Sequence, residues 1–215
     1  MIGLMPFAKF ASTVTVTANA TYSNAVGATS YTFSGVAFGI ENQQRYIIIS
    51  VYGSSTSVPA SATVTIGGIS ATALIASSSR NFYIAKVPTG TSGTVVVTFS
   101  SATTECVISS YSVVGLQSTT PFDTKDVTVA NNANISTTIN VASNGFVLGL
   151  DGITGSSPLR TTTWTGLTKV GDTLINSVTA ANAFQANLAA QTGRTITVVT
   201  SGGTPDQHLW LVSMR

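Results

Sequence analysis

Chemistry in this chain has to start from very few side chains. The one histidine, His208, lies two residues beyond Asp206 in Pro205-Asp-Gln-His-Leu-Trp. An Asp–His pair is the beginning of nucleophile activation, and Ser is abundant enough to supply a third member. Residues two apart on a strand share a face by periodicity alone, so a turn-to-strand histidine is the simpler reading. Carboxylate pairs are the next resource, because a glycosidase needs two acids about 5 to 9.5 Å apart. Seven acids offer Asp123 with Asp126, Asp151 with Asp172, and Glu41 or Glu105 with any other. Asp123 and Asp126 flank Lys125 and read as a charged connector. Asp151 opens Asp-Gly-Ile-Thr-Gly, an ordinary turn former that could also lend its carboxylate to Ca2+ in a sandwich loop.

Cys106 is the only cysteine, which excludes an intrachain disulfide, and one Cys with one His does not make a zinc site. Its neighbours, Glu105-Cys-Val-Ile, predict a buried, inert thiol. Nucleotide-binding glycine motifs and the Gly-x-Ser-x-Gly elbow are absent. Among the aromatics, Tyr22, Tyr31, Tyr52, Tyr83 and Tyr111 are strand residues, and Trp210 sits in an apolar C-terminal strand and reads as core. Trp164, beside the Gly166 turn, is the candidate contact for a glycan. The expectation is no enzyme, no catalytic residue, no metal and no cofactor.

The elements that would carry these residues are strands. Ser12 to Ala18 alternates, Tyr31 and Phe33 share a face, and Arg45 to Tyr52 is a continuous apolar run that suggests a central strand buried on both faces. Ala62 to Ile66 turns at Gly67-Gly68 into Ile69 to Ile75. Phe82 to Lys86, Val95 to Phe99 and Cys106 to Val114 follow. Beyond the connector at 117–123 come Val127 to Ala130, Ile135 to Val141, Phe146 to Asp151, Thr161 to Trp164, Arg194 to Thr200 and Leu209 to Met214. Ile175 to Ala190 is Ala-rich enough to suggest helix, but Phe184, Ala186 and Leu188 alternate with polar partners and favour strand in its second half.

Composition agrees. Of 215 residues 43% are hydrophobic and 7% charged, against about a quarter charged in ordinary domains, which excludes intrinsic disorder. Mean hydropathy is +0.37, yet no apolar run is long enough to cross a membrane as a helix. The net charge of +2 comes from scattered cations such as Lys9, Arg45, Arg80, Lys86 and Arg194, so neither nucleic acid nor membrane is an expected partner. Solubility rests on Ser, Thr, Asn and Gln, a surface suited to packing against other subunits.

Four segment pairs match in order at offsets of about 98 to 102 residues. Arg45-Tyr-Ile-Ile-Ile answers Ser143-Asn-Gly-Phe-Val-Leu, and Thr63-Val-Thr-Ile-Gly-Gly answers Thr161-Thr-Thr-Trp-Thr-Gly. Gly93-Thr-Val-Val-Val answers Gly193-Arg-Thr-Ile-Thr, and Val107-Ile-Ser-Ser-Tyr answers Leu209-Trp-Leu-Val-Ser. The expected fold is all-β: an antiparallel β-sandwich of jelly-roll type over 12–215, built from weakly repeated halves at 12–116 and 122–215. Two tandem small sandwiches are the alternative. Residues 1–11 lack a leading cation and are interrupted by Lys9, so they are expected to stay uncleaved as an arm. Met1, Ile2, Leu4, Met5, Phe7 and Phe10 are its docking candidates.

The order Phe33-Ser-Gly-Val-Ala-Phe-Gly, Arg45-Tyr-Ile-Ile-Ile-Ser-Val, Val64-Thr-Ile-Gly-Gly, Val87-Pro-Thr-Gly-Thr-Ser-Gly, Ser112-Val-Val-Gly-Leu and Trp164-Thr-Gly-Leu-Thr resembles structural β-sandwich proteins of tailed bacteriophages. The resemblance covers most of 30–214 and implies a virion component, assembled in the host cytoplasm. Capsid decoration (cement) is its leading form, with the major capsid protein or other virion proteins as partners and homo-oligomers expected. A carbohydrate-binding tail or fibre module, with glycan as ligand, is the alternative. The family pattern transfers no catalytic residue.

Overall fold

The computed structural model describes residues 13–54, 61–75, 80–155, 159–203 and 205–215. The expected arm, with Met1, Ile2, Leu4, Met5, Phe7 and Phe10, lies outside the described residues. Within them the secondary structure is seventeen strands and no helix. The first half holds β1 (Thr15–Asn24), β2 (Ala28–Ala37), β3 (Tyr46–Ser54), β4 (Ala62–Ile66), β5 (Ile69–Ser70), β6 (Thr72–Ala73), β7 (Arg80–Lys86), β8 (Ser92–Thr103) and β9 (Glu105–Val114). The second holds β10 (Asp123–Val129), β11 (Asn134–Val141), β12 (Gly145–Ile153), β13 (Thr162–Thr165), β14 (Thr168–Ile175), β15 (Val178–Leu188), β16 (Gln191–Thr200) and β17 (Gln207–Met214).

The strands assemble into four antiparallel sheets, two per half. The first half forms β1-β9-β3-β7-β6 and β2-β8-β4-β5; the second forms β10-β17-β12-β15-β14 and β11-β16-β13. No described strand of one half pairs with a strand of the other. The all-β antiparallel sandwich is as expected, but the single sandwich expected to combine both halves is not what forms: each half closes its own pair of sheets, as in the tandem alternative. With β5 set aside, β1–β4 and β6–β9 correspond one to one, in sheet and position, to β10–β17. The pairings are nested in both halves: β1 with β9, β2 with β8, β3 with β7, and likewise β10 with β17, β11 with β16, β12 with β15.

Three apolar cores alternate with the four sheets. One fills the first sandwich (Tyr31, Phe33, Ile47, Ile49, Val51, Val97) and one the second (Ile135, Ile139, Val147, Leu167, Val198, Leu211). The third seals the two central sheets against each other through Ile48, Tyr52, Phe82, Tyr111, Phe146, Leu148, Trp210 and Val212. This layering explains why β3 reads as an unbroken apolar run. Ile47, Ile49 and Val51 enter the first-half core, while Ile48 and Tyr52 enter the shared one, so both faces of the pleat are buried. β12 repeats the arrangement with Val147 on one side and Phe146, Leu148 and Leu150 on the other.

The registers align the halves. Ile48 stands opposite Tyr111 and Ile84, and Leu148 stands opposite Val212 and Phe184, so positions on β3 and β12 correspond at 48 + 100 = 148. Contacts across the shared core join β7 and β9 of the first half to β15 and β17 of the second. Tyr111 of β9 meets Phe184 of β15 edge-on at 6.2 Å, and Arg80 of β7 lies 5.4 Å from the Trp210 ring of β17. Strands β9 and β17 are counterparts, as are β7 and β15. At the centre Tyr52 rests on Gly152, its own counterpart, where a Cβ would overlap the ring. Ser50 Oγ donates to Asn182 Oδ1 at 3.0 Å between the same two sheets. The halves meet through corresponding central strands but not as a two-fold pair: β1 packs on the shared core through Val16 and Ala18, whereas Val127 and Val129 of its counterpart β10 pack on the second-half core.

Candidate functional site

The residues singled out in the sequence are dispersed, with one exception. His208 Nδ1 lies 2.8 Å from Thr128 Oγ1 across the β10–β17 ladder, and its ring stacks on Trp210 at 5.5 Å with planes 2° apart. Burial, with the Arg80 charge behind it, lowers the pKa of the imidazole. Asp206 precedes β17 and accepts from the Asn131 amide at 2.9 Å, so the Asp–His pair is not formed. Asp123 is consumed by the Thr124 and Asn140 amides (2.8 and 2.7 Å) and Lys125 Nζ (3.2 Å). Asp126, three residues on along an extended strand, faces the other way. Glu41 Oε1 accepts from the Gly90 amide at 2.6 Å. Glu105 is buried and takes Asn176 Nδ2 from the second half at 2.8 Å. Burial, reinforced by the charge of Glu105, pushes the Cys106 thiol far above its ordinary pKa, so it is held as the inert thiol.

Asp151 and Asp172 are the exception. Asp151 on β12 and Asp172 on β14 stand opposite the same residue of β15, Ala181, from its two sides. Asp172 is fully engaged: Thr162 Oγ1 donates at 2.5 Å, the Thr162 amide at 3.1 Å, and Lys169 Nζ lies at 2.9 Å. Asp151 is completely buried, and neither carboxylate oxygen has a hydrogen-bond partner. Burial, with the charge of Asp172 added, raises its pKa well above the usual carboxylate range. Gln207 is also fully buried; its Nε2 donates to Thr200 Oγ1 at 2.7 Å and its Oε1 is unpartnered. The two acids have no cleft for a sugar ring, because Asp151 is sealed inside the second sandwich. Among the described residues no group of three or more His, Cys, Asp or Glu is placed to hold a metal.

Among the described residues the aromatic side chains do not form a platform. Tyr31, Tyr52, Tyr83, Tyr111 and Trp210 are buried. Trp164 is half-buried: its Nε1 donates to Thr162 Oγ1 at 3.0 Å and its ring lies on Gly149, where a Cβ would stand 2.7 Å from it. What the molecule presents instead is its two outer sheet faces. On the first, Ser30, Thr98 and Thr63 form one cross-strand row and Thr32, Val96 and Thr65 the next. On the second, Ser136, Thr197 and Thr165 form one row and Asn134, Val199 and Thr163 the other. Hydroxyls pair along both, Ser30 with Thr98 at 3.2 Å and Ser136 with Thr197 at 2.9 Å. These rows carry no charge.

Sequence reasoning missed Arg45. It is fully buried, and its guanidinium donates to five backbone carbonyls: Val87 from Nε, Gly39 and Ile40 from Nη1, Thr89 and Gly90 from Nη2, all at 2.7 to 3.0 Å. The signal was an arginine at the head of the most apolar run in the chain.

No family model matches the chain, and no curated protein matches it in sequence. A chain from the structure of Sulfolobus turreted icosahedral virus is similar at 11% identity, covering 100% of this chain and 99% of its own length with a TM-score of 0.20. A likeness at that score carries no weight for fold or function.

Proposed function

We propose that this chain is a structural virion protein, a decoration protein that sits in many copies on the capsid of a tailed phage and stabilises the shell by contact. The observation that carries the reading is the build: two sandwiches of matching topology sealed face to face by a common apolar core, displaying flat, uncharged hydroxyl rows outward. The nested strand pairing is what rolling an antiparallel ribbon on itself produces, and each half reads as a jelly roll. The resemblance to tailed-phage sandwich proteins supports the same assignment. A molecule with two matching outer faces is suited to bridging two neighbouring shell subunits. Contacts of modest individual affinity then add across many copies, each interface of the order of 1,000 Å² or more.

Because the outer rows are uncharged, attachment should depend weakly on salt. Purified protein mixed with particles lacking it should co-sediment to saturation, with affinity nearly constant from about 0.05 to 0.5 M NaCl. Failure to bind particles at micromolar concentration would overturn the assignment.

A further inference from the structure

Asp151 and Gln207 stand where the first half has apolar core. The β3 position corresponding to Asp151 is Val51 (51 + 100 = 151), which is fully buried in the first-half core. Val51 is paired with Ile108, and Asp151 with Leu209; Gly53 is paired with Cys106, and Ile153 with Gln207. Gln207 therefore corresponds to Cys106, also a member of the first-half core. Two diagonal neighbours on one sheet face are thus apolar in one half and polar in the other. A lone Asp or a lone Gln at such a position would forfeit its hydration with nothing in return. Their occurrence together points to a shared interaction.

Donors are missing from it. Asp151 Oδ1 and Oδ2 and Gln207 Oε1 are three buried acceptors without a partner. Gln207 spans the gap between the sheets to reach Thr200, which places its Oε1 in the interior that Asp151 also faces. A Ca2+ ion would require six to eight oxygens. The neighbouring hydroxyls are already engaged, Thr200 by Gln207, Thr162 by Asp172 and Trp164, and Thr179 by the Arg160 amide. One proton does more with less. It removes the charge, converts one carboxyl oxygen into a donor and supplies the acceptor on Gln207.

We propose that Asp151 is held as a neutral carboxylic acid whose O–H serves Gln207 Oε1, making the second sandwich the half of the molecule that responds to pH. The charged groups around it are few. From β14 come Asp172 and the Lys169 that neutralises it. Ahead of β13, the Arg160 guanidinium is spent on the Gly155 and Ser201 carbonyls. On β16, Arg194 caps the Gly166 carbonyl. The strands that flank Asp151 directly, β15 and β17, place no titratable side chain on its face; His208 points to the opposite one.

The sign follows from linkage. A carboxyl that keeps its proton in the fold and loses it in the unfolded chain stabilises the fold fully below the unfolded pKa. That contribution is lost as pH rises toward the folded one. The test is urea unfolding of the full chain from pH 4 to 9, with and without 5 mM EDTA or added CaCl2. The wild-type unfolding constant should rise by up to about tenfold per pH unit above about pH 4. Asp151→Asn, which keeps a donor for Gln207, should flatten that rise and be the more stable protein at pH 8. The infrared spectrum of wild type at pH 7 should show the carbonyl stretch of a protonated acid that Asp151→Asn lacks, a readout that does not depend on unfolding. Stabilisation by CaCl2 that Asp151→Asn abolishes would overturn the proposal in favour of a cation. So would a pH profile shared by wild type and Asp151→Asn, or the absence of the protonated-acid band.

Discussion

Arg45 holds one end of the first sandwich together. Its five hydrogen bonds tie the 39–45 turn to the 87–91 turn, and Glu41 adds a sixth bond to the Gly90 amide. Removing the guanidinium takes the donor from five carbonyls at once, that of Val87 buried and the other four partly buried, and an unsatisfied buried group costs about 1–3 kcal/mol before relaxation. Arg45→Ala should therefore destabilise the chain by about 3 kcal/mol or more in urea unfolding. Arg45→Lys should recover only a minor part, since an ammonium has three donors and no fork geometry. At this scale the sequence was legible where the residue type settles the outcome. Cys106 and Trp210 are apolar residues in strands covered on both faces, and both are buried. For Asp206 and His208 the simpler reading of a turn-to-strand histidine held: β17 begins between them and the turn sends the carboxylate to Asn131.

Strands carried the clearest signal. The apolar run at Arg45 to Tyr52 became a central strand with both faces covered, and the Ala-rich segment became strand over Val178–Leu188. In that segment Ala180, Ala181 and Ala183 are small because both sheet faces are closely packed there. Local patterning says that a strand is buried twice but not by what, so the partner of each face was invisible. Gly152 shows the consequence, since nothing around it marks it as the seat of Tyr52. Gly152→Ala should cost about 1–3 kcal/mol through overpacking. In the background of Tyr52→Val the same substitution should cost almost nothing, a coupling that a double-mutant cycle in urea reads directly. Equal costs in both backgrounds would mean that the two central sheets do not meet as described.

The whole molecule is one sandwich topology written twice into a single chain. The repeat was legible as four collinear matches, because equivalent strands occupy equivalent burial environments and so select similar residues. How the halves combine was not: the choice between one shared sandwich and two stacked ones depends on which sheets share their cores, and sequence periodicity is the same for both. Low charge follows from this architecture, since four sheets and three cores leave few positions that must be solvated by ions. The same economy leaves outer faces that would pack against neighbours more readily than they would repel them. The most direct measurement of the proposed role is the copy number of this chain in purified virions, by quantitative mass spectrometry against the major capsid protein. A decoration protein should be present in hundreds of copies per particle, in a fixed small-integer ratio to the shell subunit. A handful of copies, or none, would contradict it.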